Sequence, residues 1–419
     1  LTATTATTAR YESLDAIRGV AVMGILAMNI LAFGLPFPAY SNPAAAGPPG
    51  GADIAAWFVS FVFIDAKMRG LFSILFGAST LLVIEGATAR GRSAAGAHYA
   101  RMFWLALFGL AHFYLIWFGD ILFLYAMCGL LLFLFRNLSV RALVAWAVAF
   151  LAIDILLFGS GWAAMALAEA GRMSPAANAA MQEGLAQINR DMGPSTPAYA
   201  TDLALHLGSY AQLVAHRTGE MGAFPFVSLG LFGWETIGLM LIGMALFKTR
   251  MLTGEWDAAR YRRWAMGSFA IAVPPLVALA AYQYRSGFSG TSVFGSTIAL
   301  SVPFDVVMAI GWAALIMLLI GTVASPGARA RLAAAGRMAF TNYLTTSIVM
   351  TTIFYGYGLG LYGAVPRVAL YLFCIGMWAA MLLWSKPWLD RFHYGPLEWL
   401  WRSLSRGALQ PMRKVAVPQ

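Results

Sequence analysis

Charge is scarce in this chain. Asp, Glu, Lys and Arg make up 11% of the 419 residues against 60% hydrophobic, and mean hydropathy is +0.71. So little polar surface cannot cover a soluble domain of this size, which excludes that class. Cysteine is rarer still. Cys128 and Cys374 both sit in apolar runs, which predicts buried free thiols and no disulfide framework, and says nothing of the redox compartment. The five histidines, at 98, 112, 206, 216 and 393, are too scattered to form a ligand set, and neither an HExxH helix nor a Cys/His metal spacing occurs, so no metal site is expected. A GxxxxGKS/T phosphate loop is missing too, which leaves transport driven by the chain's own nucleotide hydrolysis unsupported. The Gly-rich GYGLGLYG around Gly356 lies at the end of an apolar run and does not follow a strand, so it is no dinucleotide fingerprint. The formal net charge of +10 would suggest nucleic acid in a soluble protein. Here the bases cluster in short segments between apolar runs, where membrane topology accounts for them, and nucleic-acid binding is not supported.

What the chain has in quantity is apolar runs of about 20 residues, long enough for helices and too long for the roughly 10-residue strands of an outer-membrane barrel. They predict an all-α, polytopic integral membrane protein with about ten transmembrane helices, near 14–35, 68–88, 99–117, 120–135, 141–169, 224–247, 264–283, 294–323, 338–360 and 367–385. Ile54 to Asp65 is apolar and aromatic as well. A full crossing there would upset the charge alternation, so it reads as an interfacial or re-entrant helix leading into the second span. Under this assignment about 20 of the 28 basic residues fall on one side, which places both termini in the cytoplasm. The order is then a cytoplasmic tail (1–13), a first helix bundle (14–170), an extracytoplasmic cap (171–223), a second bundle (224–385) and an amphipathic cytoplasmic C-terminal segment (386–419). No small-residue cleavage site follows the first run within usual reach, so that run reads as an uncleaved anchor.

Polar residues inside the spans are the candidates for chemistry, because a charge at the centre of a transmembrane helix costs about 2.5–3.5 kcal/mol on insertion scales. In ESLDAIRGVAVMGILAMNILAF, Asp15 and Arg18 share a helix face. Asn29 returns to nearly the same face about 16 Å further along. In HFYLIWFGDILFLYAM, His112 and Asp120 flank a helical hairpin. Either the carboxylate reaches back to the imidazole, as in a general-base pair, or Asp120 caps the following span while His112 bonds a neighbouring helix. Lys67 and Arg69 are either snorkelling interfacial bases or an anion-binding patch facing a cavity. Glu235, Asp154 and Asp305 lie deep, so each is protonated, paired with a base such as Arg18 or Arg69, or beside water. RMAFTNYLTTS, Arg337 to Ser347, puts Thr341, Asn342, Thr345 and Thr346 into one span as a polar path or a helix zip. GPLEWLWR, Gly395 to Arg402, reads as a Trp-rich interfacial anchor.

SLDAIRGVAVMGILAMNILAFGLP, FSILFGAS, HFYLIWFGDILFLYAMCGL, GLMLIGMAL, GRMAFTNYL and GPLEWLWR, in this order from Ser13 to Arg402, resemble the successive signatures of the YeiB-like family. These are bacterial inner-membrane proteins built around a domain of unknown function, grouped with the transmembrane acyltransferases. The resemblance implies multi-pass insertion in the bacterial inner membrane and transfer of an acyl group from cytoplasmic acyl-CoA to a small-molecule or glycan acceptor at or across the bilayer. In the sugar O-acetylases of that superfamily an arginine in the first span is followed after ten residues by a catalytic histidine. The arginine matches Arg18, but Asn29 stands in the histidine position, so an imidazole must come from elsewhere, and His112 is the intramembrane one.

The leading expectation is a polar cavity lined by Asp15, Arg18, Asn29, Arg69, His112 and Asp120. There His112 would act as base, Asp120 would orient it and Asn29 would bond the oxyanion, while Asp15, Arg18, Lys67, Arg69, Glu235, Arg337 and Asn342 supply binding groups. Acyl-CoA would be the donor. The alternatives are a small-molecule or lipid transporter using the same cavity, with His112, Asp120 or Glu235 as a proton relay, or a non-catalytic scaffold that forms a homodimer through Gly- and Ala-rich helix faces.

Overall fold

The computed structural model describes residues 2–414, with side chains from Glu12 onward. Residues 1 and 415–419, the ends of the expected tail and C-terminal segment, lie outside the described residues. The described chain is helical, and its one isolated extended pairing is Phe392 with Arg413. Among the described residues, eight helices are long and apolar enough to cross a membrane: Glu12–Gly34, Gly51–Thr88, Ala94–Ile116, Val140–Glu169, Phe224–Lys248, Ala258–Arg285, Val302–Thr322 and Arg367–Arg391. This is a multi-pass membrane protein.

Two of the ten expected spans coincide with shorter helices. Leu122–Phe135 has 14 residues and Ala339–Phe354 has 16, which is about 21 and 24 Å of axis against a hydrocarbon core of about 30 Å. The expected run 338–360 stops at Phe354, where Tyr355 turns extended, and the chain goes on through turns that place Gly360 and Gly363 at positive φ. The run 294–323 is also divided. Gly290–Ala299 forms a separate short helix, and the long one starts at Val302 with Pro303 in its first turn, where the missing amide hydrogen costs nothing. Ile54 to Asp65 is helical from Gly51 to Ile64 and leads into Lys67–Thr88 across a break at Ala66, a non-glycine residue at φ 57°.

Serine, threonine and aspartate open many helices in the expected way. Ser139, Ser174, Thr196, Asp257 and Ser325 each accept a first-turn amide. Where long helices cross, glycine lets backbones touch. A Cβ at Gly77 would overlap the Met240 carbonyl and one at Gly243 the Ile74 carbonyl, so Lys67–Thr88 and Phe224–Lys248 lock reciprocally. Gly19 and Gly336 do the same between Glu12–Gly34 and the helix Pro326–Arg337. Asn342 donates to Ala335 O and Ser385 Oγ and accepts from Trp384 Nε1, tying three helices together as the zip alternative expected. Cys128 and Cys374 are buried free thiols.

Residues 171–223 fold as three short helices, Pro175–Met192, Pro197–His206 and Tyr210–Thr218, at one end of the bundle, here called the cap end. At the opposite end, the start of Glu12–Gly34 and the C-terminal helix Pro396–Arg406 face one cavity. This end is rich in arginine and is called the basic end. In Pro396–Arg406, Glu398 accepts from the amides of Phe340 and Thr341 and from Thr341 Oγ1, capping the helix Ala339–Phe354.

Candidate functional site

The residues expected in one cavity divide between two. The basic-end cavity, about 490 Å³, is lined by Asp15, Arg18, Arg90, Arg101, Arg337 and Arg402, with Tyr125 and Tyr343 at its inner wall. The cap-end cavity, about 510 Å³, contains Asn29, Arg69, Asp120, Asp154, Arg217 and Glu235. The division arises because helix Leu122–Phe135 begins between them. On its first turns Leu122 and Tyr125 face the basic end, while Ile121 and Leu124 face the cap end.

His112 lies in this partition. Its side chain is fully buried, and Nδ1 meets Asp120 Oδ1 at 2.8 Å. Asp120 Oδ2 also accepts from the amide of Phe123 at 2.8 Å, so one carboxylate caps the helix and engages the imidazole together, joining two alternatives that the spacing left open. A widened helical turn, His112–Ile116, follows Ala94–Ala111 and ends at Trp117, which is extended and whose amide donates to His112 O. Nε2 is buried with no hydrogen-bond partner among the described residues. The Tyr343 ring is 5.3 Å from the imidazole, and its hydroxyl donates to Gly119 O. Tyr343 lines the basic end and Gly119 and Asp120 line the cap end, so His112 stands one side chain from each cavity.

At the basic end Arg18 donates to Asp15 at 2.6 Å and to Ser79 Oγ at 3.0 Å. Arg101 stacks over the Trp401 ring at 4.0 Å, and Arg402 lies over the Tyr394 ring at 4.8 Å. Among the described residues, Arg90, Arg92, Arg101, Arg337, Arg402 and Arg406 form no ion pair. Burial, helped by the neighbouring Arg406, presses the pKa of Arg402 below the ordinary guanidinium value. Glu398 offsets this charge only in part, and its carboxyl also caps the helix Ala339–Phe354. Burial pushes it above the ordinary Glu value, more than the bonds from Thr341 and Phe340 pull it back.

The cap end holds most of its charges in pairs, with Asp154 and Arg217 outside any ion pair among the described residues. Arg69 meets Glu235 at 2.6 Å, one of the three alternatives left open for that acid. Lys67 meets Asp305 at 2.7 Å with both side chains almost completely buried, and also donates to Phe61 O, so it is neither a snorkelling base nor an open patch. Asp65 accepts from Tyr40. Asp202 accepts from Tyr362 and from the amide of Phe37, beside His206 at 3.3 Å. Burial alone would raise the Asp202 pKa, but His206 first, then Tyr362 and the Phe37 amide, outweigh it and hold the carboxyl below its ordinary value.

The structure therefore gathers Asn29, Arg69, Asp120 and Glu235 at one cavity and Asp15, Arg18 and Arg337 at the other, sets His112 between them, and leaves Lys67 and Asn342 in packing bonds. Sequence reasoning missed Arg402 and Arg406 as cavity bases. Their signal is the i, i+4 spacing in WRSLSR beside tryptophans, which also fits a plain membrane anchor. Tyr343 and Arg217 carried no local signal.

A model of the family described as "Protein of unknown function (DUF418)" matches residues 246–408. Uncharacterized protein YeiB of Escherichia coli (strain K12) is 33% identical over 407 residues, covering 96% of this chain and 98% of that protein. Uncharacterized protein YxaH of Bacillus subtilis (strain 168) is 30% identical, with 98% of each chain covered. An uncharacterized 39.9 kDa protein encoded in the amylase 3' region of Bacillus acidopullulyticus is 23% identical over 94% of each. No solved structure matches the chain. Similarity at this level along nearly the whole length, with the matched domain inside it, means that the chain belongs to the YeiB-like family.

Proposed function

We propose that this protein transfers an acyl group from acyl-CoA, held at the basic end, to a hydroxyl or amine held at the cap end. The observation that carries this reading is the His112–Asp120 dyad in the partition between two cavities, with Nε2 buried and unpartnered. With both termini cytoplasmic, as the distribution of bases argues, the arginine-rich cavity opens to the cytoplasm. Unpaired guanidinium groups suit the phosphates of an acyl-CoA, which they can bind bidentately. His112 Nε2 takes the proton of the acceptor as it attacks the thioester carbonyl. The new C–O or C–N bond forms, the C–S bond breaks, and the departing thiolate recovers the proton from His112. Asp120 fixes the tautomer and ring orientation through Nδ1. Asn29, at the cap-end cavity, supplies an amide donor for the oxyanion.

The test uses purified protein in lipid nanodiscs with short- and long-chain acyl-CoA, measuring donor binding and thiol release for wild type and His112→Ala. The expected result is unchanged binding with turnover lowered by about 10²–10⁴ in the variant. Absent binding, or equal turnover in both proteins, overturns the proposal. Two cavities on opposite sides of a thin partition also suit a carrier, with Arg69 and Glu235 as the cap-end relay. Substrate movement into proteoliposomes without acyl-CoA would favour that reading over transfer.

A further inference from the structure

Arg217, on the cap helix Tyr210–Thr218, is the charged group of the cap end that the dyad does not explain. Ser209 and Gln212 close a capping box at the start of this helix, which fixes the turn that carries Arg217 inward. The residue is 3% exposed and lines the cap-end cavity. Nε donates to Leu213 O, while Nη2 is buried without a partner among the described residues. Unlike Lys67 and Arg69, it has no carboxylate beside it. The titratable groups acting on it are the phenols of Tyr355, Tyr357 and Tyr210, and burial lowers its pKa from the ordinary value. An uncompensated cation taken out of water costs several kcal/mol unless an anion joins it. Of the cavity's acids, Glu235 and Asp305 are in ion pairs, Asp202, Asp65 and Asp120 accept hydrogen bonds from other groups, and Asp154 is not among the groups that act on Arg217. The same cavity is lined by the apolar Leu213, Met221, Phe224 and Phe118, and Phe224 is partly exposed.

We propose that the cap-end cavity binds an oxyanion-bearing amphiphile whose phosphate or carboxylate sits against Arg217 while its apolar body lies along Leu213, Met221 and Phe224. The guanidinium fork matches both oxyanions bidentately, and a cavity of about 510 Å³ accepts a small ligand of mixed polarity. The proposal concerns occupancy of this cavity and stands whether or not the chain transfers acyl groups.

The test measures thermal melting and equilibrium binding in dodecyl maltoside, without acyl-CoA, using dodecyl phosphate, dodecanoate, inorganic phosphate and uncharged dodecanol as probes. Wild type, Arg217→Gln and Arg217→Lys are compared, so that anion binding at the basic end contributes equally to all three. A charged amphiphile should raise the wild-type melting temperature and bind at least about tenfold more weakly to Arg217→Gln, with Arg217→Lys between them. Dodecanol should have no effect. Inorganic phosphate acting as strongly as dodecyl phosphate would identify a free ion as the ligand's source, and a weaker effect would identify a lipid head group. Equal binding to wild type and Arg217→Gln overturns the proposal. If Arg217→Gln does not fold, the comparison of wild type with Arg217→Lys decides in the same way, and the absence of anion-dependent stabilisation of wild type overturns the proposal by itself.

Discussion

The two ends of this molecule handle charge in opposite ways. At the basic end, Arg101, Arg402 and Arg406 crowd one cavity without ion pairs, while its acids are committed elsewhere, Asp15 to Arg18 and Glu398 to a helix cap. At the cap end, Lys67 and Arg69 each hold a carboxylate at ion-pair distance, and among the described residues Arg217 and Asp154 are the exceptions. A cavity that stores repulsion is stabilised by an arriving anion. A cavity that stores pairs is stable empty and can present hydrogen-bonding groups to a neutral or singly charged molecule. The partition between them carries His112, and the proposed chemistry needs both ends at once.

The largest effect should come from removing the group that joins the ends. His112→Ala should lower thiol release by about 10²–10⁴ and leave donor binding intact, since His112 lines neither cavity directly. Asp120→Asn should also lower turnover by loosening the imidazole, and in addition cost stability through the weakened cap at Phe123. Kinetics with melting curves on the same preparations separate the two contributions.

Breaking a pair at the cap end is the next test in size. Lys67→Met leaves Asp305 buried without its base and should cost about 3–5 kcal/mol, whereas the double change with Asp305→Leu should recover most of this. Chemical denaturation in mixed micelles measures both. Equal losses in the single and double variants would mean that the pair is not what the cap end rests on.

The helical architecture was legible because apolar run length decides it directly, and eight long helices stand where eight of the expected runs were placed. Run ends were read less well, because Phe354 and Val302 are boundaries inside composition that stays apolar on both sides. The pair Asp15 with Arg18, one helical turn apart, could be read from spacing, whereas for His112 and Asp120, across one hairpin, spacing offered the contact as one of two alternatives. Lys67 with Asp305 could not, since its partner lies far along the chain and only the packing of Val302–Thr322 on Lys67–Thr88 brings the two together. The division into two cavities had no sequence signal either. It depends on where Leu122–Phe135 starts within the bundle, which no local pattern states.

At the basic end the sign should reverse. Arg402→Gln removes a cation that other arginines repel, so the empty protein should melt no lower than wild type. Loss of a charge-assisted contact worth about 1.5–3 kcal/mol should nevertheless weaken acyl-CoA binding about ten- to a hundredfold. High salt should narrow the gap between the two proteins, because a partly buried guanidinium remains open to screening. A lower melting temperature with unchanged binding would make Arg402 a structural residue.

The smallest effect tests how firmly the cap end is built. Asp202 joins the cap to the loops after Glu12–Gly34 and Ala339–Phe354 through the amide of Phe37 and the hydroxyl of Tyr362, and Asp202→Asn should cost about 1–2 kcal/mol at neutral pH. Its folded-state pKa lies below the ordinary Asp value, so the stabilisation is present above the unfolded pKa of about 3.9 and is lost as pH falls through the lower folded value. Melting curves of wild type and Asp202→Asn should therefore converge on acidification below about pH 4. A gap that persists there would assign the cost to lost geometry, because the amide would then be failing to replace the carboxylate in shape and not in charge.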